Sequence, residues 1–591
     1  MIEKMTKYSF ILLNGQVDTL LEHLQELGLV DITRSTKALD DTSRQMVADI
    51  ELINGLIQGL KKAKVPEGTQ AEHIDGDIVR LAGGMLMRYS DDTVELQNLR
   101  KELEEKRIWG KFDTELLQKL SDAGAPVHFH KLPYKKFKPE WGEEYALSVI
   151  HQDKSGTWFV VAGDDSLPGA IPTPDTDASH LENTLQEKEM HFQKVLSRIA
   201  GAKERIPELE QKKAELCARL DLYLAGVAAV PAAENTIVTL VGYAPVEDDA
   251  AICAELDAAD VFYIKEDAAL DDDPPIKLKN NKFVKMFELL TDMYGRPAYN
   301  GFDPTPFIAI FFMLFFAFCM GDAGYGLLLI ALGFGLKKVL GDISPLVITL
   351  GVATTVIGFL FHTFFSMDIA QWQIFEPIKG IFLPSKIMGY DGTMVLSLIV
   401  GIVHLSLAMI IKTIMATKQK GFMNSLGTWG WTLLVVGGAA IGTFALLGVI
   451  DKGVTKIAII TVGVLSALGI FILNDPHRNV FANIGSGLWE TYNGITGLLG
   501  DVLSYLRLYA LGLAGAMLGK AFNDIGLMVL GDGRNIAMWV FFIIIILLGH
   551  TLNIAMAALG AFVHPLRLNF LEFFKNSGYD AAGRNFNPLK K

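Results

Sequence analysis

Residues Gly500–Gly519 read GDVLSYLRLYALGLAGAMLG, an apolar stretch with one arginine, Arg507, near its middle. A guanidinium stays charged in a protein. At the centre of a membrane helix it costs about 2.5–3.5 kcal/mol on insertion scales, so it should face a carboxylate or water. Steps of three and four residues put Ser504, Arg507, Leu511, Ala514, Gly515 and Leu518 on one helical stripe. Beyond the arginine that stripe is apolar and partly small, which suits close approach to another helix with little hydrogen bonding to prevent sliding. A second stripe near the end of the chain carries His550, Asn553, Ala557, Gly560, His564 and Arg567, and Pro565 removes a backbone hydrogen bond beside its last members. Glu572 lies near a helix end and Asp322 on a separate short span, too few carboxylates to neutralise two arginines. The expected counter-ion therefore belongs to another polypeptide. Arg567, close to polar residues, also fits an arginine that reaches the membrane surface; Arg507, with apolar sequence on both sides, does not. His362, His404 and His550 read as hydrogen-bonded interior histidines, and Gly438 and Gly442 as helix-packing residues.

Other chemistries are not indicated. There is no GxxxxGK[ST] phosphate loop: GAMLGKA lacks the spacing, and GDAGYG is not a GxGxxG. Cys217, Cys253 and Cys319 are scattered and form no CxxC pair, so neither a metal centre nor a disulfide framework is expected. The formal net charge of -13 argues against a nucleic-acid partner. No cofactor is expected, and any energy from nucleotide must enter through a partner.

The elements that must position the arginines fall in two halves. Charged residues concentrate before about residue 290, and the mean hydropathy of +0.31 reflects the apolar remainder of the chain. Residues 1–290 read as a cytoplasmic domain and 291–591 as a membrane domain. KYSFILLNGQVDTLLEHLQELGLVDIT predicts strand, helix, strand, with Gly28 stopping the helix. TIVTLVGYAPVEDDAAICAELDAADVFYIKED predicts a second such unit, with strands near Val238–Val241 and Val261–Ile264. EEYALSVIHQDKSGTWFVVAGDD predicts two strands of another small lobe. Residues 36–64 and 91–122 predict one pair of long helices, and the segment from His180 to Ala225, broken near Pro207, another; their apolar spacing is that of a coiled coil. LDDDPPIKLKNN reads as a linker. Eight apolar stretches come after it, at 306–322, 324–341, 344–366, 391–415, 427–450, 455–474, 486–524 and 536–574. Lys337, Lys338, Lys412, Lys418, Lys420, His477 and Arg478 in alternate loops place both termini in the cytoplasm. A single 486–524 helix would be roughly 57 Å long, against a hydrocarbon core of about 30 Å, so it must tilt or project. The fold class expected is mostly α: α/β lobes joined by long antiparallel coiled-coil helices, then about eight membrane helices with two long tilted ones last.

KFVKMFELLTDMYGRPAYNGFDPTPFIAIFFMLFFAFCMGDAGYG, GDVLSYLRLYALGLAGAML and AFVHPLRLNFLEFF, in that order, resemble subunit a of the V-type and A-type rotary ATPases, called subunit I in prokaryotes. The resemblance implies a non-catalytic membrane stator beside a rotating ring of proteolipid subunits, each carrying an essential carboxylate. It implies that Arg507 is the essential arginine and Arg567 its supporting partner. Leu511, Ala514, Gly515 and Leu518 would face the rotor. Glu490, Asn493, Asp501, Ser504, His550, Asn553, His564 and Glu572 are the candidates to line two aqueous half-channels for H+ or Na+. The first domain would meet peripheral-stalk subunits, and nucleotide-binding subunits would be separate chains. The chain departs from eukaryotic members, which often have histidine at the position of Gly515 and glutamate at that of Ala557. A rival reading from the residues alone is a self-contained secondary transporter with a cytosolic regulatory domain, but the membrane half shows no internal repeat.

Overall fold

The computed structural model describes residues 1–590 apart from 35–39, 111, 154–155, 164–165, 173–177, 233–235, 385, 388, 447–450, 474–479 and 532–535, so His477 and Arg478 lie outside the described residues. The chain divides into two compact units. One comprises residues 1–12, 29–32 and 239–588, the other 13–28, 33–238 and 589–591.

In the second unit, the Val17–Leu27 helix ends at Gly28, whose φ of 66° is the left-handed cap expected there. Four long helices come next: Asp41–Lys62, Ile78–Arg107, Ala178–Glu204 and Ile206–Val227. Asp40 caps the first, accepting from the Ser43 amide at 2.8 Å and from the Tyr223 hydroxyl. The bonds from Ser43, then Tyr223, hold its carboxyl down to about 2. The pairing differs from the sequence expectation. Asp41–Lys62 lies along Ile206–Val227, and Ile78–Arg107 lies along Ala178–Glu204. Lys61–Glu210 at 2.8 Å marks the first pair as antiparallel, together with Lys213 Nζ on Asn54 Oδ1 at 2.9 Å. Arg107–Glu182 at 3.2 Å and Arg100–Glu189 at 2.8 Å do so for the second. The long segment is interrupted at Arg205, just before Pro207, and the helices before and after that point pack against different partners. Ile53, Leu56, Ile57, Leu60, Ala82, Met85, Val195 and Ile199 form the shared core. The exposed ion pairs add little beside it. A small antiparallel sheet joins Leu147–Gln152, Thr157–Ala162, Val127–Leu132 and Ala170–Ile171 in that order, and its first two strands are the hairpin predicted from the sequence.

The first unit carries a sheet with strand order Asp31–Ile32, Ile237–Pro245, Met5–Leu13, Tyr263–Asp267. Asp249 ties it together, accepting from Tyr8 at 2.6 Å and Thr6 at 3.0 Å while pairing with Lys265 at 2.6 Å. The linker read at 270–281 is held within this unit. The Ile276 amide donates to Arg584 O at 2.6 Å, and farther on the Gly583 amide donates to Arg296 O at 3.0 Å.

Among the described residues, six helices of this unit are long and apolar enough to cross a membrane: Lys337–Leu360, Gly392–Lys420, Met423–Ala445, Lys452–Phe471, Asn483–Leu530 and Ile536–Ser577. Two shorter apolar helices, Thr305–Met320 and Ala323–Gly335, lie where the first two spans were expected. Thr305–Met320 packs against both of the last two long helices, and Phe312, Phe315, Phe573 and Phe574 are fully buried in the common core. Gly321, at φ 56°, ends that helix and Asp322 caps the next, so one helix gives way to the other within two residues.

Burial alone would raise the Asp249 carboxyl; the bonds from Lys265, Tyr8 and Thr6 outweigh it, and the net direction is down. A carboxyl depressed in the folded state adds stability that is complete above its unfolded value, about 3.9, and is lost as pH falls through the folded one. Hydrogen exchange at Met5–Leu13 and Tyr263–Asp267, corrected for intrinsic rates, should lose protection below about pH 4. Asp249→Asn should flatten that dependence and cost the sheet about 1–3 kcal/mol at neutral pH.

Candidate functional site

The 48-residue run Asn483–Leu530 is two helices, Val480–Ser504 and Leu506–Leu530, that meet at Tyr505. The Tyr505 amide bonds Val502 O, and the Leu508 amide bonds Tyr505 O, both at 3.1 Å, so the backbone tightens to three-residue steps there. The side chain explains why. Tyr505 is fully buried, and its Oη meets His404 Nδ1 at 2.9 Å. His404 is itself stacked on Phe573 with centroids 4.6 Å apart and lies 4.1 Å from the Phe311 ring. Gly401 makes the room: a Cβ there would sit 2.5 Å from the Tyr505 ring. Arg507 therefore leaves the core two residues after a rigid wedge.

Arg507 is half-buried. Its Nη1 is buried with no hydrogen-bond partner, and no carboxylate among the described residues forms an ion pair with it. The Leu506–Leu530 and Ile536–Arg567 helices pack along their length, with Leu511 Cδ2 3.7 Å from where a Gly560 Cβ would be. His564 and Glu572 lie within electrostatic reach of the guanidinium. His564 Nδ1 and Glu572 Oε2 are also buried without partners. Arg567 is exposed. After it the helix widens into a π turn over Leu568–Phe573, where the Asn569 side chain donates to Pro565 O at 2.9 Å. Such turns cluster at functional sites. Asp501 is engaged elsewhere, by Asn576 at 2.8 Å and Lys575 at 3.3 Å. Arg507 thus stands among donors and acceptors left open, beside an exposed apolar flank that includes Ala514, Met517, Leu518, Met556 and Leu559.

The remaining predicted residues fall into other places. Glu490 and Asn493 are exposed on the preceding helix, about 25 and 21 Å from Arg507 at 1.5 Å per residue. The Ser504 hydroxyl donates to Gly500 O at 3.1 Å. Leu511 and Gly515 are half-buried. His550 and Asn553 join a polar cluster with Tyr325 and Asn523, two residues that sequence reasoning misses. Their only signal is a polar group inside an apolar run. Asp322, expected to be remote, accepts four backbone N–H bonds beside that cluster, at 2.6–3.2 Å. On the other flank of the arginine helix, a cavity of about 190 Å³ is lined by Phe318, His362, Asp391, Thr393, Tyr509 and Gly512, among others. His362 pairs with Asp368 at 2.9 Å and His404 with Tyr505, so these histidines are the hydrogen-bonded groups expected.

Residues 168–340 and 491–591 match the family described as the V-type ATPase 116 kDa subunit family. The A-type ATP synthase subunit I of Methanocaldococcus jannaschii is 32% identical over 350 residues, which are 54% of this chain and 49% of that protein. The chain thus spans about half the length of this relative. The V-type ATP synthase subunit I of Borreliella burgdorferi is 24% identical over the whole of both chains. That of Chlamydia trachomatis is 25% identical over 99% of this chain and 98% of its own length.

The wedge can be tested against a neutral glycine. Gly401→Ala drives a methyl into the Tyr505 ring and should destabilise the protein by about 1–3 kcal/mol. Gly438→Ala, with open space around its Cβ, should be neutral or stabilising by up to about 1 kcal/mol. Thermal unfolding in detergent reads both.

Proposed function

Because this chain belongs to the V-type ATPase 116 kDa subunit family, we propose that it is the membrane stator subunit of a rotary V/A-type ATPase or ATP synthase. In this reading it carries out no nucleotide chemistry; separate subunits bind nucleotide. Arg507 faces a ring of proteolipid subunits and meets, in turn, the carboxylate that each one brings past it. Arg567 supports it. The domain read at residues 1–290 carries the peripheral-stalk contacts, and both chain ends lie on the cytoplasmic side of a multi-pass membrane domain.

The observation that carries the reading is the buried, unpartnered Nη1 of Arg507. A fixed cation of this kind is costly unless a negative group completes it. An opposite charge within about 4–6 Å lowers a carboxyl pKa by about 1–3 units. An arriving ring carboxylate would therefore give up its H+ or Na+ at Arg507. The same positive charge repels any free cation and so separates two access routes. On the inner side, His564, Glu572 and Asp501 are the groups between Arg507 and the cytoplasmic end. On the outer side, the cavity at His362, Asp391 and Tyr509 is the route supported by its polar lining. The ion leaves by one route, and ring rotation brings each carboxylate to reload from the other. Leu511, Ala514, Gly515 and Leu518 give the ring a surface with few hydrogen bonds to break as it turns.

The test is the assembled complex in liposomes. Arg507→Ala should slow ATP-driven ion transport at least about tenfold, the low end of the lost pKa effect, while the detached soluble part keeps hydrolysing ATP. Arg507→Lys should also fail, because a compact ammonium does not reproduce the guanidinium fork. Normal transport by the alanine variant would refute the assignment.

A further inference from the structure

The polar cluster of Tyr325, Asn523, His550 and Asn553 has a direction that its geometry dictates. Each end is a backbone carbonyl, which only accepts. Asn523 Nδ2 donates to Phe365 O at 2.8 Å, which leaves its Oδ1 to accept from His550 Nε2 at 2.9 Å. A neutral imidazole protonated on Nε2 accepts on Nδ1, so the Tyr325 hydroxyl donates there, at 2.7 Å. Asn553 Nδ2 then spends its two protons on Tyr325 Oη at 2.8 Å and Gly515 O at 2.9 Å. The chain of bonds runs between two backbone carbonyls, and both terminal side chains are amides, which do not pass protons on.

What the bonds do join is four pieces of structure. Tyr325 belongs to the Ala323–Gly335 helix, Asn523 and Gly515 to the Leu506–Leu530 helix, and His550 and Asn553 to the Ile536–Arg567 helix. Phe365 belongs to the 361–368 loop. That loop holds three non-glycine residues at positive φ, His362 at 50°, Phe365 at 46° and Ser366 at 59°. Such backbone persists only where its surroundings hold it. Asp322 does so, accepting the Phe365 and Ser366 amides at 2.9 and 2.6 Å. The fit is tight: a Cβ at Gly519 would lie 2.8 Å from Asn553 Nδ2 and 1.9 Å from Ser366 Oγ. At the inner end the two long helices meet through Leu511 and Gly560, an apolar contact that by itself carries no directional bond against a shift of one turn, about 5.4 Å.

We infer that Tyr325, Asn523, His550 and Asn553 are a register clamp. They fix the Leu506–Leu530 helix against the Ile536–Arg567 helix and so position Arg507 relative to His564 and Glu572, without carrying the ion. The consequence for transport rests on the function proposed above; the register itself does not.

Disulfide cross-linking reads the register directly. The background is the full chain in its complex with Cys217, Cys253 and Cys319 replaced by serine. Leu511→Cys with Gly560→Cys should cross-link, and Leu511→Cys with Met556→Cys, one turn away, should not. Adding Tyr325→Phe or His550→Leu should move the ratio of the two products toward 511–556 by about tenfold, the worth of one buried hydrogen bond. His550→Gln, whose amide can donate and accept in place of the imidazole, should keep the 511–560 product. An unchanged ratio in both Tyr325→Phe and His550→Leu overturns the clamp. So does a His550→Gln variant that keeps the 511–560 product yet blocks ion transport, because the imidazole would then be a carrier. Neither result depends on the outcome for Arg507→Ala.

Discussion

A cation that pairs with no carboxylate among the described residues sets the terms for this structure. At an effective dielectric near that of a protein surface, two unit charges 4 Å apart interact by about 4 kcal/mol, and more where water is excluded. Arg507 forgoes that stabilisation, because Glu572, the buried acid within its electrostatic reach, makes no ion pair with it. Free side chains would relax to remove such a mismatch. They are prevented here by the wedge two residues earlier. Tyr505 is bonded to His404, His404 is stacked on Phe573, and Gly401 has no side chain to yield. Rigidity next to the arginine and the lack of a partner for it are one arrangement seen from two sides.

The same logic divides the two long helices by depth. Toward the 361–368 loop their contact is polar and specific. Around Leu511 and Gly560 it is apolar, with exposed Met517, Met556 and Leu559 beside it. Directional bonds resist sliding; dispersion contacts resist it little. Under the stator reading one helix pair supplies both properties that role asks for: fixed where it is anchored, and smooth where a ring would turn past it. The π turn at Leu568–Phe573 follows, with the Asn569 side chain donating to Pro565 O just before it.

Much of this is legible in the sequence, and the part that is not has a physical reason. Arg507 stands out because charge within a long apolar run has few explanations. The strands at Ile237–Pro245 and Tyr263–Asp267, the hairpin at Leu147–Ala162 and the cap at Gly28 arise from periodicity and glycine chemistry, which are local. The partners of the long helices differ from the expected ones because an apolar stripe says that a helix is covered, not by which other helix. Tyr505 is invisible as a break because tyrosine is a common helix residue; what bends the chain is a hole at Gly401, 104 residues away in sequence. Asn523 and Tyr325 escape notice for a related reason. A polar residue in a membrane helix is informative only once its mate is known, and those mates are 27 and 225 residues distant along the chain from one side chain, His550.

Force has to leave the arginine helix by some path if a ring turns against it. The closing helix continues through its π turn to Ser577 and then into an extended tail. That tail does not hang free. Gly583 bonds Arg296, Ile276 bonds Arg584, Phe586 bonds Ile276, and the Asn587 amide donates to Asp31 Oδ2 at 3.1 Å, on the strand that edges the sheet. Bonds between extended segments load in parallel, so a pull along the tail is shared among several of them, as in any sheet ladder. The sheet that receives it is locked in turn by Asp249 across three side chains. Under the stator reading, the segment whose composition suggests a loose linker is therefore part of the connection between the site of ion release and the cytoplasmic strands, and its proline- and charge-rich character reflects extended backbone held by pairing.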